Sequence, residues 1–285
     1  MTSASTRTTR PGSAVTTPEP RPEPPLPAGA IPSTLVELPV GTRVITDLHL
    51  APLGDERTER FVRLCDGLEG VPALVCLGDL FDMWVCRRQA RMEGSRPVLE
   101  ALERLARRGV EVHLVPGNRD ALLGAWFDRR TGGRLHPDGF VGLLPGGARA
   151  VLVHGDALCT RDRGYLRLRS LWRFAPVRLV SWLAPMWFAR RVGARLRGLS
   201  ESAKPTKLPE EKAIQRTAVL EVAAATGAAA LVCGHAHDAR DQVLAGADGA
   251  EVRWLVVGAW GWASDLLRVG PEGLEVGSWD TIPAG

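Results

Sequence analysis

A short apolar run that stops abruptly at a glycine and an aspartate constrains the fold of this chain more than any other stretch. Ala73–Leu77 is apolar throughout, which is typical of a strand buried on both faces of a parallel sheet. Gly78 and Asp79 follow at once, so a carboxylate stands where the strand gives way to a loop. In open α/β sheets the functional side chains lie at this end of the strands. Asp79 is therefore a candidate ligand or catalytic group.

Four further apolar runs end in polar motifs of a similar kind. In chain order these motifs are Asp47-x-His49, Gly117-Asn118-Arg119-Asp120, His154-Gly155-Asp156 and Gly234-His235-x-His237. Because the strands of one parallel sheet bring their C-terminal ends to one edge, we expect these residues to converge in space. Carboxylate, amide and imidazole ligands without cysteine suit Mn²⁺, Fe or Zn²⁺ in a hydrolytic site better than a closed structural zinc site.

Strand-like and helix-like segments alternate between these motifs. The spacing of apolar residues predicts helices over Glu56–Leu68, Pro97–Arg108 and Pro209–Ala225. It predicts strands over Thr42–Thr46, Glu111–Val115, Phe140–Leu144, Arg149–Val153 and Ala228–Cys233, with three further β segments near Asp241–Leu244, Glu251–Val257 and Leu266–Val276. We therefore predict one α/β domain over residues 41–285.

The first 40 residues differ in composition from the rest of the chain. Residues 1–40 are rich in Pro, Ser, Thr and Arg, and cannot bury enough apolar surface to offset the entropy of ordering, so we predict a disordered tail. A transit peptide for an organelle is the alternative. The prolines, together with Glu19 and Glu23, argue against the amphipathic helix that such a peptide needs.

The segment Arg161–Ser200 is rich in arginine and tryptophan. It holds ten arginines against one acid, Asp162, and Pro176 and Pro185 divide it into two or three helices. Arginines among tryptophans and leucines predict an amphipathic surface that attracts anionic head groups. An ordinary helical subdomain with a solvated arginine face is the alternative. Nucleic acid is not predicted as a partner, since no aromatic residues alternate along a basic groove.

The overall composition predicts an intracellular protein that does not cross a membrane. No apolar run approaches the roughly 18–20 residues of a membrane-spanning helix, and the N-terminus has no apolar signal-peptide core. The five cysteines are scattered, which fits reduced thiols better than a disulfide framework. A net charge of +4 indicates an anionic partner without naming it. Any contact with a membrane is therefore expected to be peripheral.

The order of the five motifs resembles the calcineurin-like metallophosphoesterase superfamily. Within it, Gly117-Asn118-Arg119-Asp120 replaces the commoner Gly-Asn-His. With the stretches Gly78–Trp84 and His154–Thr160, it resembles the UDP-2,3-diacylglucosamine diphosphatase family of lipid A synthesis, over about residues 42–260. The resemblance implies an α/β fold, namely a four-layer αββα sandwich with a helical insertion lid at about residues 163–203.

The resemblance also implies a site for two divalent metal ions, with Mn²⁺ the first candidate. One metal would be held by Asp47, His49, Asp79 and His237, and the other by Asp79, Asn118, His154 and His235. Catalytic roles would fall to Arg119, His235 and Asp79. Substrate contacts would come from Arg119, Asp162, Tyr165, Arg197, Ser200, Lys204, Lys207 and His235. Lys204, Arg161, Asp82 and Ala236 depart from the family's commoner residues, and none of the four is a metal ligand.

The activity implied is cleavage of the diphosphate of UDP-2,3-diacylglucosamine to UMP and 2,3-diacylglucosamine 1-phosphate. The implied enzyme is a monomer on the cytoplasmic face of a bacterial inner membrane. A general metallophosphoesterase acting on another nucleotide diphosphate or phosphodiester is the alternative. An inactive scaffold should have lost ligands, and every motif position is present here.

Overall fold

Two β-sheets form the centre of the structure. The computed structural model describes residues 24–203, 209–247 and 249–279, and its twelve strands form two six-stranded sheets. The strands are β1 (Leu35–Glu37), β2 (Arg43–Ile45), β3 (Ala73–Leu77), β4 (Glu111–Val115), β5 (Arg134–Leu135), β6 (Phe140–Leu143), β7 (Arg149–Leu152), β8 (Ala230–Cys233), β9 (Arg240–Ala245), β10 (Glu251–Val256), β11 (Leu266–Gly270) and β12 (Gly273–Gly277). The first sheet has the order β12-β11-β2-β3-β4-β5, and the second has the order β1-β6-β7-β8-β10-β9.

Helices cover both outer faces of the sheets. The helices of the described residues are α1 (Glu56–Gly67), α2 (Ser95–Arg107), α3 (Trp126–Thr131), α4 (Arg163–Arg173), α5 (Ala175–Leu183), α6 (Met186–Ala203), α7 (Pro209–Lys212) and α8 (Arg216–Thr226). Of these, α1, α2 and α3 pack on the first sheet, and α8 packs on the second. Short 3₁₀ helices lie at Arg87–Arg91, Pro145–Gly147 and Asp156–Leu158. Asp55 caps the N-terminus of α1, since its side chain accepts a hydrogen bond from the Thr58 amide at 2.9 Å and so satisfies a free N–H of the first turn.

Alternating side chains on the strands define four layers. On β3, Leu74 and Cys76 pack against α1, α2 and α3, whereas Val75 and Leu77 face the other sheet. On β8 the inward residues share that inter-sheet core, and Leu231 on its outer face packs against α8. All these side chains are buried, so each strand is apolar on both faces. The predicted αββα sandwich is confirmed.

The direction of the central strands brings the motifs to one edge. Strands β2, β3 and β4 run parallel in the first sheet, and β7, β8 and β10 run parallel in the second. Each of the five motifs follows the C-terminal end of β2, β3, β4, β7 or β8. The C-terminal ends of strands from both sheets therefore meet at the same rim of the sandwich.

Helices α4, α5 and α6 occupy the predicted insertion between β7 and β8. The insertion rests on the segment after β3, where Ser181 donates a hydrogen bond to the Val85 carbonyl at 2.6 Å. Met83, Val85 and Cys86 also form a small buried cluster with residues of the insertion, Ala184 and Ala189. No helix among the described residues is long and apolar enough to cross a bilayer.

Two predicted elements are divided in the structure. The single helix predicted over Pro209–Ala225 is α7 and α8, because Gln215 has extended backbone angles and its side chain donates to the Glu210 and Ala213 carbonyls. The β segment predicted over Leu266–Val276 is the antiparallel hairpin of β11 and β12. Gly273, with φ of 129°, lies at its turn.

The structure also differs from the predicted disordered tail over residues 24–40. Within this range β1 pairs in parallel with β6, and Val36 and Leu38 are buried between the two sheets. Pairing with a strand more than 100 residues away supplies the hydrogen bonds and burial that local composition does not reveal. The rest of the predicted tail, residues 1–23, lies outside the described residues.

Replacement of a core side chain tests the helical layer. Phe61 of α1 is fully buried, so Phe61→Ala should lower the free energy of unfolding by about 3–5 kcal/mol in urea denaturation. The matched control is Leu53→Ala, whose side chain is 69% exposed and whose effect should stay within about 0.5 kcal/mol. Equal effects of the two substitutions would contradict the assigned core.

Candidate metal centre

The loops that carry the motifs have unusual backbone conformations. Among the described residues, six that are not glycine have a positive φ, and five of them are predicted metal ligands. These five are Asp47, His49, Asp79, His235 and His237, with φ between 49° and 65°. Each such conformation costs about 1–3 kcal/mol and is retained only where the surrounding structure enforces it. The fold therefore holds these side chains in place at an energetic cost.

One group of candidate ligands forms at the ends of β2 and β8. The Nε2 atoms of His49 and His237 lie 3.3 Å apart, and Asp47 Oδ1 lies 3.9 Å from the first and 3.2 Å from the second. Ligands about 2.1 Å from one metal in tetrahedral geometry lie about 3.4 Å from each other. The three atoms thus have the spacing of ligands around one ion. His237 is 41% exposed, so this group opens to solvent.

A second group forms around Asn118. Its Oδ1 atom lies 3.2 Å from His154 Nε2 and 3.0 Å from His235 Nδ1. The other ring nitrogen of His154, Nδ1, lies 2.8 Å from the Leu77 carbonyl and donates to it, which directs Nε2 into the site. His154 is almost fully buried.

Asp79 lies between the two groups. Its Oδ2 atom is 3.9 Å from His49 Nδ1, and its Oδ1 atom is 3.8 Å from His154 Nε2. Asp79 Oδ1 also accepts a hydrogen bond from the Arg119 amide at 2.7 Å. Asp47, Asp79 and His154 can each offer one ligand atom within 4.8 Å of the others, so Asp47 is also close to both groups. The two buried carboxylates together connect the groups.

Two glycines permit this close approach. A Cβ atom at Gly117 would lie 2.2 Å from Asp79 Oδ1, and one at Gly234 would lie 2.4 Å from Asp47 Oδ2. Neither contact is sterically possible with a side chain present. The glycines of these two motifs are thus required by the positions of the carboxylates.

The buried charges shift the pKa values within the site. Burial raises the pKa of Asp79 well above its usual range, and Asp47 keeps a lowered pKa despite its burial because of its contact with His237 and the charge of His154. Burial alone would lower the pKa of His154, but the carboxylates of Asp79 and Asp47 raise it to about 9. Burial lowers the pKa of His49 and of His235 to about 4, so both rings are neutral near pH 7.

Asp120 positions the site although the sequence prediction gave it no role. Its carboxylate accepts hydrogen bonds from the amides of Gly117 at 2.7 Å and Leu80 at 2.8 Å. It is fully buried and therefore ties the loop after β3 to the loop after β4, which carry Asp79 and Asn118. The only signal in the sequence is the last letter of Gly117-Asn118-Arg119-Asp120.

A second polar network joins the motif after β7 to the insertion. Asp156 accepts hydrogen bonds from the Tyr165 hydroxyl and from Arg169 Nε, the latter at 3.2 Å. Arg169 also donates to the carbonyls of Ala28 and Gly29 in the N-terminal segment. Asp162, predicted to contact substrate, caps α4 by accepting from the Tyr165 amide at 3.0 Å. Tyr165 and Asp162 thus have structural contacts of their own.

The structure describes the remaining predicted substrate residues to different extents. Arg119 follows β4, and its guanidinium forms no hydrogen bond or ion pair with any described residue, although its charge helps to lower the pKa of His49. Arg197 and Ser200 belong to α6, and the structure describes their backbone only. Lys204 and Lys207 lie outside the described residues.

The donor set fits a divalent metal centre. Asp47 Oδ1 is buried and accepts no well-formed hydrogen bond from the described residues. It faces the Nε2 atoms of His49 and His237. A buried carboxylate oxygen in that position requires a cation or a donor. Imidazole nitrogens and carboxylate oxygens are ligands that Zn²⁺, Fe and Mn²⁺ share.

Comparison with known proteins agrees with this geometry. Residues 42–239 match the protein-family model described as calcineurin-like phosphoesterase. The chain belongs to this family. As a calcineurin-like phosphoesterase with two groups of candidate ligands, it binds divalent metal.

Individual relatives match nearly their whole length. The UDP-2,3-diacylglucosamine hydrolase of Pseudomonas entomophila is 35% identical over 240 residues, covering 82% of this phosphoesterase and 96% of the relative. The protein of the same name from Pseudomonas putida is 34% identical with the same coverage. Among solved structures, Yfce, a phosphoesterase from E. coli, is 18% identical with a TM-score of 0.38, covering 83% of this chain and 92% of the other.

Removal of the Asp120 carboxylate should weaken the metal site of this phosphoesterase without touching a ligand. In Asp120→Ala two buried amides lose their acceptor, so the free energy of unfolding should fall by at least about 2 kcal/mol. Metal affinity should fall about 10–100-fold in calorimetric titration. Asp66→Ala removes a carboxylate paired with Arg104 on the surface, and should cost less than about 1 kcal/mol with unchanged metal affinity. Wild-type metal affinity in Asp120→Ala would contradict the positioning role.

Metal binding should release a proton at neutral pH. The raised pKa of His154 stabilises the metal-free fold fully below pH 6.5, and this contribution is lost as the pH rises through about 9. A metal that takes the Nε2 lone pair must displace the proton, so its affinity should rise with pH and level off near pH 9.

Calorimetry at pH 7.5 in two buffers with different heats of ionisation counts the protons released, and at least about one, from His154, is expected. His136→Gln is the matched control, because burial lowers the pKa of His136 to about 4 and this ring is already neutral. A release near zero in the wild-type protein would rule out a protonated His154.

Proposed function

We propose that this phosphoesterase cleaves the diphosphate of UDP-2,3-diacylglucosamine to UMP and 2,3-diacylglucosamine 1-phosphate, as a step of lipid A biosynthesis. One observation carries the proposal: relatives with this activity in their name align over 96% of their own length at 35% and 34% identity. The arrangement of ligands and the free Arg119 cation support the same chemistry. The alternative is a phosphoesterase that acts on another nucleotide diphosphate or phosphodiester.

We assign the metal ligands by the grouping of atoms at the rim of the sandwich. Asp47, His49 and His237 would hold one ion, and Asn118, His154 and His235 would hold the other, with Asp79 shared. Divalent ions, when bound, neutralise the phosphate and lower the pKa of a water molecule from 15.7 to about 7. Mn²⁺ is the first candidate by resemblance to the UDP-2,3-diacylglucosamine diphosphatase family, and the oxygen and imidazole ligands, which Zn²⁺ and Fe also accept, are compatible with it.

Arg119 is assigned to the phosphate groups of the substrate. The Asp79 carboxylate fixes the backbone of Arg119 through its amide, while the guanidinium has no partner among the described residues. A guanidinium can donate two parallel hydrogen bonds to a phosphoryl group, and lysine cannot reproduce that geometry. Arg119 would thus orient the diphosphate beside the shared carboxylate as charge develops.

His235 is assigned a role in ligation and in proton transfer. Burial lowers its pKa to about 4, so the ring is neutral near pH 7 and one ring nitrogen has an available lone pair. The backbone amide of His235 donates to Asp47 Oδ2 at 2.9 Å, which fixes the ring relative to the first group. A neutral ring held in this way can bind a metal or accept a proton from water.

The insertion is assigned to the lipid part of the substrate. Its described part exposes Phe174, Leu179, Leu183 and Trp187, each with more than half of its side chain accessible. Exposed apolar side chains on adjacent helices form a surface that favours acyl chains or a membrane interface. We accordingly place the enzyme, as a monomer, on the cytoplasmic face of a bacterial inner membrane.

Release of UMP from a lipid substrate tests the proposal. Purified protein with Mn²⁺ should release UMP from UDP-2,3-diacylglucosamine in detergent, and at least about tenfold less from UDP-N-acetylglucosamine, which lacks the two acyl chains. Asp79→Asn is the control for contaminating activity, and should lose more than about 100-fold, because the shared carboxylate is removed. Equal turnover of both substrates by the wild-type protein would favour the general phosphoesterase.

A further inference from the structure

An arginine-lined cavity lies outside the metal centre. It has a volume of about 610 Å³, and its lining includes five arginines and one acid, namely Arg87, Arg88, Arg91, Arg96, Arg130 and Glu100. These residues come from the 3₁₀ helix at Arg87–Arg91, from α2 and from α3. None of them belongs to the five motifs. The cavity therefore concentrates positive charge at a place that the hydrolytic chemistry does not use.

The 3₁₀ helix that supplies three of these arginines is held in a fixed shape. Gln89 is buried beneath it, and its side-chain oxygen accepts from the amides of Val85 and Cys86 while its nitrogen donates to the Met83 carbonyl at 2.9 Å. In a 3₁₀ helix, residues three apart lie directly above one another. Arg88 and Arg91 consequently project from the same side of the helix.

The charges of this helix are not neutralised locally. Arg130 pairs with Glu103 and lies 4.0 Å from Glu100, so its charge is largely balanced. Arg88 and Arg91 form no ion pair or hydrogen bond with any of the residues that the structure describes, and both are exposed. Two or more unpaired guanidinium groups facing one cavity repel each other unless an anion lies between them.

The cavity adjoins the apolar surface of the insertion. The Arg87 guanidinium lies over the Trp182 ring, 4.1 Å from its centroid, and thus links the cavity to α5. A neighbouring cavity of about 300 Å³ contains Arg87 and Trp126 as well as Leu179 and Trp182. Leu179, which lines it, and Leu183 of the same helix are both more than half exposed. Cations and exposed apolar side chains therefore occupy one continuous face.

This geometry points to a second anion site, in which the cavity at Arg87–Arg130 binds the phosphate group of an anionic phospholipid while α5 contacts the acyl layer. Guanidinium groups bind phosphate oxygens in pairs, and an open cavity at the foot of an apolar ridge matches a head group that stays attached to its bilayer. A soluble phosphate would gain nothing from the exposed leucines. The inference rests on the proposed function only in supposing that the substrate lies in a membrane.

Binding to vesicles tests the site with the full-length protein and no substrate. At about 0.1 M salt the wild-type chain should sediment with vesicles of phosphatidylglycerol and phosphatidylcholine in equal parts, and not with phosphatidylcholine alone. Arg88→Gln with Arg91→Gln should weaken partitioning about 25-fold, roughly fivefold for each arginine. The matched control is Arg149→Gln with Arg216→Gln, two exposed arginines on the α8 side of the sandwich, which should stay within about twofold of wild type.

Each outcome decides the assignment. Equal losses of vesicle binding in the two double variants would mean that only the net charge matters, and would overturn the site. Wild-type vesicle binding by Arg88→Gln with Arg91→Gln would overturn it as well. Tighter binding to an RNA oligonucleotide than to the vesicles, lost in the same variant, would assign the cavity to nucleic acid instead. Binding of inorganic phosphate that is lost in Arg88→Gln with Arg91→Gln, while the wild-type protein does not sediment with the vesicles, would assign it to a free anion.

A parallel assay separates this inference from the proposed function. UMP release in detergent micelles needs no bilayer, so Arg88→Gln with Arg91→Gln should retain wild-type turnover there. Loss of vesicle binding with turnover retained supports the site. If the wild-type protein releases no UMP and the vesicle results still hold, the proposed function fails and the anion site stands. A matching midpoint of thermal unfolding for the variant and the wild type excludes a folding defect.

Discussion

Two buried carboxylates, Asp47 and Asp79, are the constraint on which the rest of the site depends. Both lie at the ends of adjacent parallel strands, and both are almost completely removed from solvent. A buried carboxylate is stable only when donors or cations surround it. Here the amides of Arg119 and His235 and the Thr46 hydroxyl supply part of that requirement, and the histidines of both sheets approach to supply the rest. The burial of the two carboxylates therefore explains why amides, a hydroxyl and histidines surround them at this rim.

The same principle ties the insertion to the rim. Asp156 follows the strand that carries His154, and it is buried against Tyr165 and Arg169 of α4. The lowered pKa of Asp156, which burial opposes, results from the charges of His154 and Arg169. One carboxylate thus lies between the charge of the metal centre and the first helix of the insertion. Movement of α4 and the electrostatics of His154 are coupled through this contact.

Much of the fold could be predicted from the sequence where the pattern of buried residues lies within the element itself. Strand β3 has the predicted bounds because both faces are buried, which leaves an apolar run with sharp ends. Strand β4 also has the predicted bounds, although Glu111 at its start is exposed. The break between α7 and α8 could not be predicted, since Ile214 fits a helical pattern and the hydrogen bonds of Gln215 replace those of the helix. The motifs likewise predicted which side chains converge, whereas the anchoring role of Asp120 depends on two loops meeting in space.

Strand β1 has a consequence for the behaviour of the whole molecule in solution. It precedes residues 42–239, which match the family, and it covers the open side of β6 with only three residues of its own. A longer uncovered strand at this position would present unpaired amides and carbonyls to other molecules, and such edges are templates for aggregation. Glu37 places a negative charge on this short edge strand. Strand β1 thereby lowers the tendency of this sheet edge to pair with other molecules.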